Sequence, residues 1–314
     1  MDDYFDNLHP ELKAYLKLVS PNFPDFLIPY LATKTLQRLK DVGYFCGMDY
    51  ASKSIYNFKF YLSRLDHSLS TALMVWQFTK DKKATLAALF HDASTPVFSH
   101  VIDFMNGDTI IQESTEIDLN NFLKKDLKLI RLLKNDGLTL SDISDYKQYP
   151  LVDNKRPKLC ADRLDGIFIT SLTWIKNITI AEIKELYADV IVTTNEEREL
   201  EYGFRTSATA QRIIELNHYI DEFFHSDEDT YMMNLLAKIT KYLIEKSILE
   251  YNDLFVINEA QAFDIIENRV KVDQNLAELY QEFKKAHEVK LKNKLPIKKR
   301  IIDPLVNGIR YSKL

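Results

Sequence analysis

Glycine is scarce, at 7 of 314 residues, about a third of its usual share. That excludes a glycine-rich phosphate cradle and argues against a turn-rich β fold. Phosphate, if bound, has to be held by side chains and metal. Cysteine is scarcer still: Cys46 and Cys160 do not make a disulfide framework. No window of 18 uninterrupted apolar residues occurs, so no transmembrane helix is expected. The start, MDDYFDNLHPELK, is acidic and lacks an apolar signal core, which makes the cytoplasm the expected location. Positive charge is not in excess, since 41 Lys and Arg face 46 Asp and Glu for a net charge of −5. Nothing therefore points to a nucleic-acid coat or a polybasic membrane patch, although a local basic pocket remains open. Hydrophobic residues reach 46%, enough for the core of one large domain or of one domain with a small appendage.

What is present is mostly helical periodicity. Leu62, Leu65, Leu69, Ala72, Leu73 and Trp76 fall on one stripe over residues 62–79, the pattern of an amphipathic helix. Residues 82–92, KKATLAALFHD, form a second, largely apolar helix that reads as buried at the domain centre. Pro96 is suited to start a third, which Asn106-Gly107 ends. Further helices are expected over 113–134, stopped by Asn135-Asp136-Gly137, and over 158–173, 180–189, 207–225, 229–248 and 258–289. Ser226-Asp227 would cap the helix near Asp229. The aromatic segment 44–61 reads as a loop or short hairpin. Alternation around Val306-Asn307-Gly308 predicts a small terminal hairpin within 296–313, and the lysine-rich stretch 286–300 reads as a solvated face before it. The expected fold class is all-α, with a helical domain over 1–255 and a helical and hairpin extension over 256–314.

His91-Asp92 ends the apolar helix. A carboxylate there is costly unless paired or metal-bound. Taken alone, the dipeptide reads as a satisfied core histidine beside a helix-terminal aspartate. Three features shift that reading. His67 lies one helix earlier, with Arg64 three residues before it on the same face. His100 follows the pair by a short helical step. Asp162 and Asp165 sit three apart with Arg163 between them. Two histidines and two carboxylates make a mixed nitrogen and oxygen set suited to a divalent metal with open positions. His218 and His225 read as a solvated helix face.

The order His … His-Asp … Asp resembles the HD superfamily of metal-dependent phosphohydrolases. The words RLDHSLSTA, ALFHDASTPVFSH and ADRLDG resemble its deoxynucleoside triphosphate triphosphohydrolase branch. LQRLKDVG at 36–43 and IKKRIIDPLV at 297–306 resemble outer motifs of that branch and of small bacterial members. The resemblance implies an HD-type helical core and a divalent ion (Mn, Fe, Zn, Ni or Mg) held by His67, His91, Asp92 and Asp162. It implies Arg64 and Arg163 on phosphates, Asp165 orienting groups beside the metal, and Asp41 at the sugar-reading position. The implied reaction is hydrolysis of a nucleotide phosphoester, with dNTP the leading substrate, by water activated at the metal. Asp92, His100 and Glu116 would be the catalytic residues, and a homo-oligomer is compatible with the family.

The departures are specific. Thr95 stands where histidine is usual, and Thr115-Glu116 or Gln112-Glu113 where a His-Glu or His-Asp pair is usual. Gly166 stands where a tyrosine follows the third motif. These changes leave the metal set whole and alter the proton-transfer and sugar-reading groups. The alternative they favour is a catalytically weak nucleotide- and metal-binding sensor or scaffold of the same fold.

Overall fold

The computed structural model describes residues 2–115, 118–291 and 295–314. Helix makes up 56% of the chain, accompanied by a small four-stranded sheet. The expectation of a mostly helical fold holds, and the sheet is larger than the one hairpin expected.

Two helices form the centre. Arg64–Thr79 starts at Ser63, whose side chain accepts from Asp66 N while Asp66 accepts from the Ser63 backbone N–H, a reciprocal cap that satisfies two orphan donors. Every residue from Arg64 to Val75 is buried, so this helix is enclosed on all sides rather than along one stripe. Lys82–Phe90 is capped by Asp81, which accepts from Lys83 N and Ala84 N, and is buried from Ala84 to Phe90. Its apolar composition therefore matches its place in the core. Ala161–Thr170 packs against Arg64–Thr79. The longest helices, Ser207–Phe224 and Asp227–Glu245, follow one another through Ser226, which accepts from Asp229 N as expected.

Several boundaries differ from the expected ones. The segment after Pro96 is not helical, because Phe98 (φ 65°) and Ser99 (φ 48°) are left-handed; the helix begins at His100 and ends at Met105. The turn buries Val97 and Phe98 and presents Ser99 Oγ to Arg64 Nε at 2.8 Å. The stretch 113–134 gives two helices, Leu119–Leu123 and Leu127–Asn135, divided at Asp126. Asp126 caps the second and also accepts from Thr35. The stretch 258–289 likewise splits into Glu259–Arg269 and Gln274–Lys285, with Asp273 as the second cap. Residues 44–61 form a loop with one short 3-10 turn, Met48–Tyr50, closed at its base by a Gly43–Ser63 bridge.

The sheet has the order β1-β2-β3-β4, with β1 Val190–Thr194, β2 Leu200–Phe204, β3 Leu305–Val306 and β4 Ile309–Arg310. β3 and β4 are the expected tail hairpin, and Asn307 (φ 47°) and Gly308 (φ 87°) both take the left-handed conformation that a two-residue hairpin turn requires. β3 adds in parallel to β2, and β2 pairs antiparallel with β1. That second hairpin was not expected. Its signal was the β-branched run Val190-Ile191-Val192-Thr193-Thr194, which favours a pleated surface. Arg310 makes a buried two-pronged pair with Glu201 at 2.5 and 2.7 Å, tying the tail to β2. Among the described residues no helix is long and apolar enough to cross a membrane.

Candidate metal centre

Three helices deliver the metal set to one point. His67 comes from the first turn of Arg64–Thr79, His91 and Asp92 from the end of Lys82–Phe90, and Asp162 from the first turn of Ala161–Thr170. Ligand atoms of His67, His91 and Asp162 lie within 4.8 Å of one another. His91 Nε2 is 3.6 Å from Asp162 Oδ1 and 3.8 Å from Asp92 Oδ1. The residue types and spacing fit a first-row divalent ion.

Each ligand is oriented from behind. His91 Nδ1 sits 2.6 Å from the Ala88 carbonyl; that carbonyl accepts the Nδ1 proton, which leaves Nε2 with its lone pair. Nε2 is buried and has no hydrogen-bond partner. A buried acceptor in that state is costly; a bound cation would satisfy it, and in the free chain Asp92 and Asp162 raise the pKa of the ring against burial. His67 donates from Nδ1 to Asp165 Oδ2 at 2.7 Å, which directs its Nε2 at Asp162 Oδ1, 2.9 Å away. Asp165 is fully buried and accepts a second bond from Tyr15 Oη at 2.6 Å. Asp92 Oδ2 receives Arg64 at 2.5 Å.

The electrostatics follow from this packing. Burial alone pushes Asp92 upward, yet Arg64, His91 and His67 outweigh it and hold the carboxyl well below the usual range. Asp162 is likewise held low against burial by the two imidazoles. Burial pushes His67 down, and Asp162 and Asp165 overcome it to hold the ring at about 10. In the metal-free chain these ionised carboxylates are balanced by Arg64 and a protonated His67, and an ion held here would have to displace the proton on that ring. A neighbouring set, Asp153, Cys160 and Asp162, also comes together. Burial pushes the Cys160 thiol up to about 12, so that sulfur stays protonated and the imidazole set is the better site.

The other expected site residues divide into two groups. Arg64 and His100 line the cavity beside the cage. Arg64 donates to Asp92 and Ser99, so its guanidinium holds the Asp92 carboxylate in place. His100 Nδ1 pairs with Asp103 Oδ2 at 2.9 Å, and Ser114 donates to the other oxygen of Asp103. Burial, Arg300 and Arg64 press the pKa of His100 below its ordinary value against the pull of Asp103. Arg163 reaches the cavity wall, but its guanidinium is spent on Asp153, Asn154 and the Lys158 carbonyl. Asp165 stands behind His67 rather than in the cavity. Asp41 is exposed, does not line the cavity, and accepts through its carbonyl from Glu259 N. Glu116 lies outside the described residues. Thr95 Oγ1 donates to Asp92 Oδ1 at 3.4 Å, and both Thr95 and Thr115 line a smaller cavity of about 310 Å³ that shares Arg64, His91, Asp92 and His100.

The main cavity measures about 890 Å³. Its wall holds residues that the sequence reading passed over: Tyr44, Arg156, Lys298 and Arg300. Tyr44 stacks at a tilt on His67, with ring centres 4.8 Å apart, and lies under the Arg64 guanidinium at 5.6 Å. Its hydroxyl stands 2.9 Å from where a Cβ on Gly166 would be, so the phenol occupies the space a larger residue at 166 needs. Lys298 and Arg300 correct the reading of 286–300 as a solvated face, since the end of that stretch folds inward as cavity wall.

Compared with known proteins, the chain matches no protein-family model. It is 23% identical over 225 residues to the uncharacterized protein YdhJ of Bacillus subtilis, covering 70% of this chain and 64% of that protein. It is 21% identical over 229 residues to the metal-dependent phosphohydrolase cns2 of Cordyceps militaris, covering 69% and 62%. The chain thus spans less than two thirds of the length of these curated relatives. A crystal structure of a hypothetical protein from Aquifex aeolicus shares its fold, with a TM-score of 0.57 at 17% identity over 83% of this chain and 71% of that one. By sequence, the protein is distantly similar to a metal-dependent phosphohydrolase, and its interior holds a cluster of histidines and aspartates able to take a metal.

Proposed function

We propose that this chain is a metal-dependent phosphohydrolase of the HD type, acting on a nucleotide phosphoester, with dNTP the leading substrate class. The observation that carries the reading is the unpartnered, buried Nε2 of His91, aimed among Asp92, Asp162 and His67. His67, His91, Asp92 and Asp162 would hold the ion. A divalent ion in such a site supplies a Lewis acid that draws charge from a phosphoryl oxygen and lowers the pKa of water. Arg64 keeps Asp92 ionised and fixed in direction. Asp165, braced by Tyr15, keeps the His67 ring in one orientation. Burial, Arg300 and Arg64 lower the pKa of His100 in the free chain, which favours its neutral form. A phosphate beside it raises its pKa, so the charged substrate favours the protonated form that can assist the leaving oxygen.

A nucleotide is supported by the size of the cavity, about 890 Å³, within the range of pockets that enclose ligands of that size. The similarity to the Cordyceps militaris phosphohydrolase adds support for phosphoester chemistry. The threonines at 95 and 115 lead to the expectation of slow turnover, since a lost acid or base costs about 10²–10⁴-fold. The test is a screen of nucleotides and simple phosphoesters against chain loaded with Mn, Fe, Co, Zn or Mg, following phosphate and triphosphate release. Release that disappears in Asp162→Asn supports the reading. Binding of dNTP without turnover under every metal would replace it with the sensor reading.

A further inference from the structure

Arg38 stands behind the cage rather than in its cavity. It comes from the last turn of the Lys34–Leu39 helix and does not line the main cavity. Its guanidinium bonds to three backbone carbonyls. Nη2 donates to Thr95 at 2.5 Å and to Ala93 at 3.3 Å, and Nη1 donates to Ile257 at 3.4 Å. Phe122 lies 6.0 Å from the guanidinium carbon, and Nε is buried without a hydrogen bond. Among the described residues no carboxylate accepts from this side chain. Burial and the neighbouring Arg64 press its pKa down to about 10. Keeping a second arginine beside Arg64 without an anion of its own is costly, so the three carbonyls have to account for its place.

Those carbonyls lie where Asp92 is held. Ala93 and Thr95 are 55 and 57 residues from Arg38, in the turn that leaves the Lys82–Phe90 helix just after His91-Asp92. Ala93 N donates to the Phe90 carbonyl and Thr95 N to the Asp92 carbonyl, both at 3.0 Å. Thr95 Oγ1 reaches Asp92 Oδ1 at 3.4 Å, while Arg64 holds Asp92 Oδ2 at 2.5 Å. Each carboxylate oxygen thus meets a donor, and the one from Thr95 sits on a turn that Arg38 fastens. The third carbonyl, that of Ile257, comes just before the Glu259–Arg269 helix. Val97 N donates to the Leu254 carbonyl at 2.7 Å and Glu259 N to the Asp41 carbonyl at 3.0 Å. The approach to that helix is therefore stitched to the same turn and to the segment after Arg38. An arginine that only closed its own helix would meet the carbonyls of that helix. Arg38 instead spans two remote segments, which a planar fork of fixed donors allows and a single ammonium does not.

We propose that Arg38 is a positioning residue of the metal centre: it fixes the turn from which Thr95 steadies Asp92, and it ties that turn to the start of the Glu259–Arg269 helix. The inference rests on the reading of Asp92 as a metal ligand. A carboxylate already held in one direction loses less freedom when an ion arrives. Groups that orient a ligand from outside commonly change metal affinity by about 10–100-fold, and Arg38, acting one step further out, belongs at the lower end.

The test is a double-mutant cycle on the full chain, built from Arg38→Lys and Thr95→Val. Lysine keeps the positive charge beside Arg64 but cannot hold both carbonyls of the turn. Valine keeps the branched shape and removes the hydroxyl. Zinc affinity, measured by competition with a chelator, should fall about tenfold in each single variant and by less than about threefold more in the double. Parental affinity in Arg38→Lys, or two losses that multiply to about a hundredfold, overturns the proposal, since an arginine with a structural role alone would give one or the other. Exchange of the Thr95 amide hydrogen in metal-free chain is the second readout, and it should quicken about tenfold in Arg38→Lys. A parent that takes up no zinc sinks the metal-site reading, and the amide then decides alone. Faster exchange keeps Arg38 as the residue that holds the Asp92 turn, and unchanged exchange overturns it.

Discussion

The two poles of the cavity are built on opposite principles. At the candidate cage, among the described residues, charged groups are paired within the chain. Arg64 pairs Asp92, Asp165 pairs His67, and His91 Nε2 is left without a hydrogen bond. These residues sit at the ends of buried helices, which fix them before any ligand arrives. At the basic pole, Arg156, Lys298 and Arg300 stand on non-helical segments, and among the described residues their side-chain hydrogen bonds go to carbonyl and amide oxygens, with the carboxylates Glu113 and Asp221 nearby. A group already paired is part of the fold, and removing its partner damages the fold. A group bonded to neutral oxygens is less bound up with the fold, and removing it should spare the fold.

That contrast sets the order of expected effects. Asp92→Ala strands Arg64, whose side chain is 9% exposed, and should lower stability by about 3–5 kcal/mol, read from urea unfolding midpoints. A drop under about 1 kcal/mol would mean the pair is not part of the fold. Asp165→Asn keeps the shape but weakens the acceptor behind His67. Metal affinity should fall about 10–100-fold, measured by competition with a chelator; an unchanged affinity would remove Asp165 from the cage. Tyr15→Phe deletes one bond to Asp165 and should cost about 0.5–1.5 kcal/mol of stability. Arg300→Gln, by contrast, should leave the unfolding midpoint within about 0.5 kcal/mol of the parent. A loss of several kcal/mol there would make Arg300 structural and erase the distinction.

A third arrangement, carboxylates with neither cation nor metal, sharpens the comparison further. Glu259 is 1% exposed, and neither of its oxygens has a hydrogen-bond partner. Burial and the nearby Asp49 push it up to about 8 against the pull of Arg64. A folded-state pKa above the unfolded one stabilises below the unfolded pKa, and that contribution is lost as pH rises toward 8. Glu259→Gln should therefore stabilise the chain at pH 9 and change it little at pH 4, with the difference read from thermal melts at the two values. Equal effects at both would show that Glu259 is not the titrating group.

The cage was legible in the sequence because its residues lie in short words on strongly periodic helices. His67, His91, Asp92 and Asp162 could be named from spacing and resemblance, and the helices that carry them could be placed to within a few residues. The basic pole was not legible. Lys298 and Arg300 sit in a lysine-rich run whose composition is that of a solvated surface, and only the pairing of β3 with β2 and the bonds to Thr109 and Asn217 turn it inward. Arg163, which the motif places on phosphate, lines the cavity with its donors directed to Asp153 and Asn154, about ten residues away in sequence. The hairpin of β1 and β2 carried a readable signal in 190–194 that the surrounding helical pattern overshadowed. The helix expected from Pro96 failed on two left-handed residues, Phe98 and Ser99, a conformation composition does not announce.

The central claim is that His67, His91, Asp92 and Asp162 form a metal site. Elemental analysis of chain purified without chelator, parent beside His91→Ala, tests it most directly. About one divalent transition metal per parent chain and nearly none in His91→Ala is the predicted result. Equal metal content in the two, in protein of parental helix content, would contradict the account.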